Sequence, residues 1–224
     1  MRKTSQNHQR SVTTLRRQVP EACVTRLCLY LRELTHLNRQ RVDYVSSRRL
    51  AEQLGLTDTQ VRRDFSYFGQ FGTSGRGYDV KRLSDRLTLI LGVAKRTWNA
   101  ALVGVGNLGL ALLAYQGFRE RGFLIRFAVD TDPQKIGQSI RKIPIAASQE
   151  LASLARQHQI HIGIITVPAD SAQTVCRQLI EGGVRGIVNF APVHLEVPSD
   201  VLLRNVDLAV ELESLAFYLA QGSP

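Results

Sequence analysis

The 224 residues carry 29 Lys and Arg against 19 Asp and Glu, a formal net charge of +10, with 44% hydrophobic and 21% charged residues. That balance excludes a disordered tail, a collagen and a disulfide scaffold, and no apolar run approaches the ~20 residues that span a bilayer. The basic N-terminus lacks the apolar core of a secretory signal, and Cys23, Cys28 and Cys176 are odd in number, lack metal spacing and read as buried thiols, so a cytoplasmic protein without a metal is expected.

The charge is unevenly spread. Residues 1–96 hold 19 Lys/Arg and 8 Asp/Glu, a net +11, whereas residues 97–224 hold 10 and 11, a net −1. Only the first part is therefore expected to meet a polyanion.

Residues 1–19 have little apolar content and read as a basic flexible arm. Pro20 suits a helix start, and Val24, Leu27, Cys28, Leu31 and Leu34 recur at helical steps over 21–37. A second helix follows Ser46-Ser47, carries Leu50, Ala51 and Leu54 inward, and stops at Gly55. A third starts at Thr57, which has capping-box spacing to Gln60, so that the amide side chain reaches back. Val61, Phe65 and Phe68 give it an inner face. Thr59, Gln60, Arg62, Arg63 and Ser66 give it an outer one, on which Asp64 is out of place unless it pairs with a neighbouring arginine.

Two helices joined by "GLT" match a helix-turn-helix, whose second helix enters the major groove of DNA. Arg62 and Arg63 suit guanine edges and Gln60 suits adenine, while Ser46, Ser47, Arg48 and Tyr67 are better placed for phosphates. The glycine-rich "GTSGRGY" reads as a hairpin wing with Arg76 reaching a minor groove, and a fourth helix follows over about 80–92.

After residue 96 the pattern changes. Strand-like runs at 100–105, 124–129, 160–167 and 186–190 alternate with helices near 107–118, 148–158 and 170–181, which predicts βαβ units and a doubly wound parallel sheet. Gly104-x-Gly106-x-x-Gly109 joins the first strand to the first helix, so that Gly104, Val105, Gly106, Asn107, Leu108 and Gly109 form a phosphate-binding turn of Rossmann type. The next strand ends in Asp130, 21 residues after Gly109, where a carboxylate accepts ribose hydroxyls and repels a 2′-phosphate, favouring NAD over NADP. Thr166, Val167 and Pro168 leave one later strand, and Asn189 and Ala191 another, at the crevice where a nicotinamide would lie; plain strand exits remain the other reading of each. His161, His194 and Tyr115 are the candidate acid–base groups for hydride chemistry, with His161 more readily structural, and no substrate domain of useful size follows residue 200. Sensing is therefore preferred to turnover. An NAD-dependent oxidoreductase with a nucleic-acid-binding module, or a domain for CoA, stays as the alternative.

The runs "SSRRLAEQLGLTDTQVRRDFSYFGQFGTSGRGYDV", "GVGNLGLALLAY", "DTDPQKIG", "TVPA", "GVRGIVNFAPV" and "NVDLAVELESL" together resemble the Rex redox-sensing transcriptional repressors over residues 20–220. The resemblance implies an α/β chain in four parts: the arm (1–19), a winged-helix DNA-binding domain (20–96), a Rossmann NAD(H)-binding domain (97–204) and a dimerisation helix (205–224) swapped between protomers of a homodimer. It implies no enzyme activity but a repressor that leaves double-stranded operator DNA when NADH, competing with NAD⁺, binds. It further implies an interdomain switch through Arg32, Tyr115 and Asp207. Two departures stand out: some relatives carry the basic wing residue where this chain has Ser74, and an aromatic where it has Leu208.

Overall fold

In a computed structural model of the protein, residues 19–73, 75–94 and 96–222 are described, so residues 1–18 of the basic arm and Ser74 lie outside the described residues. The chain divides between Arg96 and Thr97 into two compact units.

The first unit runs α1 (Glu21–Arg39), β1 (Tyr44–Val45), α2 (Ser47–Leu54), α3 (Asp58–Ser66), β2 (Tyr78–Asp79) and α4 (Val80–Ile90). Its helix ends follow local chemistry. The Ser46 hydroxyl accepts from Arg49 N at 3.1 Å to open α2, and Gly55 closes it in the left-handed region at φ 65°. The Thr57 hydroxyl accepts from Gln60 N at 3.1 Å to open α3. β1 and β2 pair antiparallel, Tyr44 with Asp79 and Val45 with Tyr78, and Thr73 bridges Gly77 antiparallel, so the segment between α3 and α4 turns back as a wing tied to β1. Leu27, Tyr30, Leu34, Leu50, Val61, Phe65, Leu83 and Leu87 form one core, each buried side chain contributing about 1.5–3 kcal/mol.

Helix α1 buries a different stripe from the one expected. Cys23, Leu27, Tyr30, Leu34 and Leu37 face the core, while Val24 and Cys28 are exposed. The helix carries apolar residues on two stripes, and the aromatic ring of Tyr30 decides which one packs: it meets Phe65 edge-on at 5.1 Å.

The second unit runs β3 (Trp98–Val103), α5 (Asn107–Ala114), α6 (Gly117–Glu120), β4 (Phe123–Asp130), β5 (Ser139–Ile140), β6 (Ile143–Ala147), α7 (Leu151–Gln157), β7 (Ile162–Ile165), α8 (Ala169–Glu181), β8 (Gly186–Asn189), β9 (Leu202–Asn205) and α9 (Leu208–Ala220). The sheet order is β5-β6-β4-β3-β7-β8-β9, with every pair parallel except β5-β6. Counted from β3, the six parallel strands stand in the order 3-2-1-4-5-6 of a doubly wound dinucleotide fold. The strand order reverses between β3 and β7, so the ligand crevice falls at Gly104 and Thr166, which leave those two strands. The helix expected over 107–118 breaks: Tyr115 leaves helical geometry at ψ 115° and its ring packs edge-on against Phe118 at 5.1 Å. The strands β5, β6 and β9 lie beyond the expected runs; the two edge strands are weak, since β5 has only two residues and β9 buries none.

Candidate functional site

In the first unit α3 and the wing flank a cleft of about 610 Å³. Ser46, Ser47, Arg62, Ser66 and Arg76 line it, with Phe65 and Phe71 among its apolar walls. Phe65 fixes both sides, because its ring meets Tyr30 at 5.1 Å, Tyr78 at 5.1 Å and Phe71 at 5.5 Å. The Arg76 guanidinium lies 4.2 Å over the Tyr44 ring, which holds the wing cation against β1.

The remaining expected contacts differ in how far they are engaged. Thr59, Arg62, Arg63 and Ser66 are exposed. Arg62 forks between Asp58 at 2.8 Å and the Ser47 hydroxyl at 3.2 Å, whereas no hydrogen bond or ion pair of the Arg63 guanidinium occurs among the described residues. The Ser46 hydroxyl is occupied as a helix cap, Ser66 donates to the Arg63 carbonyl at 2.7 Å, and Thr59 donates to Asp58 at 3.3 Å. Arg48 pairs with Glu52 at 3.0 Å on the open surface, a contact worth little. Tyr67 sits half-buried at the end of α3.

Two expectations for α3 are corrected. Asp64 is not on the outer face: it is fully buried. Its carboxylate accepts from Arg26 Nε at 2.6 Å and Nη2 at 2.8 Å, from the Tyr30 hydroxyl at 2.8 Å and from Gln60 Nε2 at 2.7 Å. Its arginine is thus on α1 and not a neighbour on α3. Gln60 accordingly turns to Asp64 and does not reach back to Thr57, because a buried carboxylate is the stronger acceptor. Burial alone would raise the Asp64 pKa, but the donors from Arg26, Tyr30 and Gln60 prevail and hold it below the ordinary carboxylate value. The same cluster pushes the Tyr30 hydroxyl up, by burial first and then by its bond to Asp64, and pushes the Cys23 thiol up to about 11, again by burial first.

In the second unit the glycine turn is built on backbone contacts. Gly104 adopts φ 96°, and a β-carbon there would press on Val167 and the Thr166 carbonyl. A β-carbon on Gly109 would overlap the Gly104 carbonyl oxygen, so α5 closes onto β3 only through glycine. Gly106, by contrast, faces open space, and Gly106, Asn107 and Leu108 are exposed at the start of α5. That is the side from which a pyrophosphate would meet the helix N-terminus. Val105 is buried, and its N–H donates to Asp130 Oδ2 at 2.6 Å. Asp130 Oδ1 accepts from Asp132 N at 2.9 Å, and Lys135 Nζ stands 3.5 Å away. Burial opposes ionisation of Asp130, but these N–H donors and Lys135 prevail and lower its pKa, so the carboxylate is charged at neutral pH with lone pairs to spare.

The strand exits are placed at the crevice, yet two side chains turn inward. Thr166 donates to the Val103 and Gly104 carbonyls at 3.0 and 2.7 Å, so it braces the glycine turn. Asn189 is fully buried. Its amide nitrogen donates to Ala191 O, Val193 O and Asn205 Oδ1, each at 3.0 Å, and its oxygen accepts from Ala191 N at 3.0 Å. Both positions shape the crevice wall through backbone. Val167 is half-buried, Pro168 is exposed as the cap of α8, and Ala191 is buried.

Arg32 is exposed on α1, Tyr115 is exposed at the end of α5, and Asp207 is exposed as the cap of α9, accepting from Ala209 N at 2.9 Å. Among the described residues no hydrogen bond joins Tyr115 to Asp207. His161 Nδ1 accepts from Asn99 N at 3.1 Å and its ring meets Trp98 edge-on, a structural placement, while His194 is exposed. Helix α9 is apolar and open: Leu208, Leu212, Leu215, Phe217, Tyr218 and Leu219 are each 58–76% exposed. Among the described residues no group of three or more His, Cys, Asp or Glu could hold a metal ion, and no helix is long and apolar enough to cross a membrane.

Comparison with known proteins covers both units. Residues 18–66 match the family described as putative DNA-binding protein N-terminus, and residues 95–193 the family described as CoA binding domain. The redox-sensing transcriptional repressor Rex of Desulfitobacterium hafniense is 48% identical over 200 residues, covering 89% of this chain and 95% of that relative. A crystal structure of RSP in complex with β-NAD⁺ and operator DNA aligns with a TM-score of 0.86 at 37% identity, covering 91% of this chain and 94% of that one. RSP in complex with β-NADH aligns with a TM-score of 0.83 at 35% identity, covering 91% and 95%.

Proposed function

The chain belongs to the Rex family of redox-sensing transcriptional repressors, and from that premise we propose that it binds inverted-repeat operator DNA through its first unit and releases it when NADH occupies its second. The observation that carries the reading is the pairing of two built sites on one chain. One is a basic helix and wing around a cleft; the other is a glycine turn closed by Gly104 and Gly109 at the switch point of a parallel sheet.

NAD(H) is the ligand that the second unit fits. Its phosphates meet the exposed amides of residues 106–108, and the charged Asp130 at the end of β4 takes the ribose hydroxyls. CoA shares the adenosine diphosphate part, and residues 95–193 match a family described as CoA binding domain; competition of CoA against NADH separates the two. We read the protein as a sensor and not a dehydrogenase. The relatives are named as repressors, and an exposed His194 with no hydrogen bond to a carboxylate among the described residues is poorly set up for acid–base work. A regulator of this kind works in the cytoplasm, beside the DNA it reads.

Arg63 and Arg62 read base edges, Ser47, Arg48 and Tyr67 meet phosphates, and Arg76 enters the minor groove from the wing. A homodimer forms through α9, whose open apolar surface is what an exchanged helix buries. A two-fold dimer presents two recognition helices, hence an operator of inverted repeats. NADH shifts the dimer only by binding one arrangement better than the other, with Arg32, Tyr115 and Asp207 making the difference. Binding to an inverted-repeat duplex during titration with NADH and with NAD⁺ tests the proposal. Saturating NADH should weaken binding about tenfold or more while NAD⁺ leaves it intact. Equal affinity with and without NADH overturns it.

A further inference from the structure

Gln60 and Asp64 sit one turn apart on the recognition helix, and the carboxylate settles a question that side-chain amides usually leave open. Asp64 is fully buried and ionised, so it can only accept hydrogen bonds. The Gln60 atom 2.7 Å from Asp64 Oδ1 must therefore be the amide nitrogen. The Gln60 oxygen points elsewhere. Among the described residues it has no hydrogen-bond partner, and no buried side-chain polar atom lacks one, so solvent reaches this oxygen, on a helix whose Thr59 and Arg63 are exposed.

We infer that Gln60 reads an amino-bearing base on the strand it faces, adenine or cytosine, and that Asp64 is the positioning residue that fixes this preference. In the major groove adenine N6 and cytosine N4 donate, whereas guanine O6 and thymine O4 accept. An outward carbonyl oxygen pairs with the first two and repels the second two. The second proton of the Gln60 nitrogen can still reach adenine N7, which ranks adenine above cytosine. Asp64 is itself held from the far side: Arg26 on α1 grips both carboxylate oxygens and Tyr30 adds a third bond. The rotation of α3 and the orientation of one base-reading amide thus share a single anchor, and a free glutamine would present either end of its amide with equal ease.

The inference rests on the proposed DNA binding. It is tested by selecting bound sequences from an operator with one half-site randomised, using the full-length protein and its variants, with unfolding temperatures measured alongside. The wild type should favour adenine or cytosine at one position. Gln60→Met, which keeps the length of the side chain and loses its hydrogen bonds, should erase that preference, about tenfold, and leave the other positions unchanged. Asp64→Asn, which can offer an N–H to the Gln60 oxygen, should erase the same preference with Gln60 still in place. A Gln60→Met profile identical to wild type, or loss of a preference for guanine or thymine, overturns the assignment of Gln60. An even weakening at every position in Asp64→Asn overturns the positioning role. Should Asp64→Asn fail to fold, Gln60→Met still decides the base assignment. Failure of the wild type to select any sequence would instead sink the proposed DNA binding.

Discussion

The two units answer the same demand, a rigid site for a charged ligand, with opposite materials. The first unit fixes α3 with side chains: an arginine, a tyrosine and a glutamine around Asp64, and three aromatic rings around Phe65. The second fixes its glycine turn with main chain: the Gly104 carbonyl under Gly109, the Val105 N–H on Asp130, and Thr166 bonded to two carbonyls. A site that reads base edges needs long side chains that other side chains can aim. A site that cradles phosphate needs bare backbone, and only close approach of other backbone can hold that.

This contrast is broken most directly at Gly109. A β-carbon there would overlap the Gly104 carbonyl oxygen, and main chain cannot swing aside as a side chain does. Gly109→Ala should cost the second unit more than the ~3 kcal/mol at the upper end of ordinary overpacking and abolish NADH binding, as read by amide hydrogen exchange and by titration. Amides of the first unit should keep their protection. A stable variant with normal NADH affinity would show that the turn has slack.

The matching change in the first unit is Asp64→Ala. It leaves the Arg26 guanidinium without its bidentate partner and Tyr30 with a bare hydroxyl in the core. Breaking a buried pair from one side costs about 3–5 kcal/mol. Because 22% of the Arg26 side chain reaches solvent, the lower figure applies. Protection from exchange should fall across α1 and α3 and remain in the parallel sheet. A loss below about 1 kcal/mol, the range of an exposed pair, would show that Asp64 is a surface contact.

How much of this was legible in the sequence follows from the same contrast. Backbone sites announce themselves through glycine, so the spacing 104-106-109 located the turn, and Ser46, Thr57 and Gly55 marked helix ends that the fold places there. Side-chain anchors depend on partners far along the chain. Asp64 lies three residues after Val61, a step that shares one helix face, so its helical phase already puts it beside the inner face; its charge outweighs that signal. Its partner Arg26, 38 residues earlier, was not legible, because two apolar stripes on α1 competed and only packing against Phe65 selects one. Thr166 and Asn189 do leave strands there, but their inward turn is decided by partners that the local pattern does not show: for Thr166 the Val103 and Gly104 carbonyls, for Asn189 the Ala191 and Val193 carbonyls and the Asn205 side chain.

The smallest effect expected sharpens the comparison through acid. Asp64 and Asp130 both have lowered pKa values in the folded protein, against burial that opposes them. A carboxylate of this kind stabilises the fold above its unfolded pKa of ~3.9, and that stability is lost as pH falls through the lower folded value. Both units should therefore hold their amide protection at neutral and mildly acidic pH and lose it only below about pH 4. The donors that make the difference are of unlike kind. Those of Asp64 are side chains, so Arg26→Met should remove most of the acid dependence of the first unit. The leading donors of Asp130 are the N–H groups of Asp132 and Val105, ahead of Lys135, which stands 3.5 Å off and is partly exposed. Lys135→Met should consequently leave the acid limb of the second unit nearly where it was. If that limb moved as far as the first unit's does in Arg26→Met, the ammonium and not the backbone would be holding Asp130, and the division of labour between side chain and main chain would fail in the unit where it was expected to be strictest.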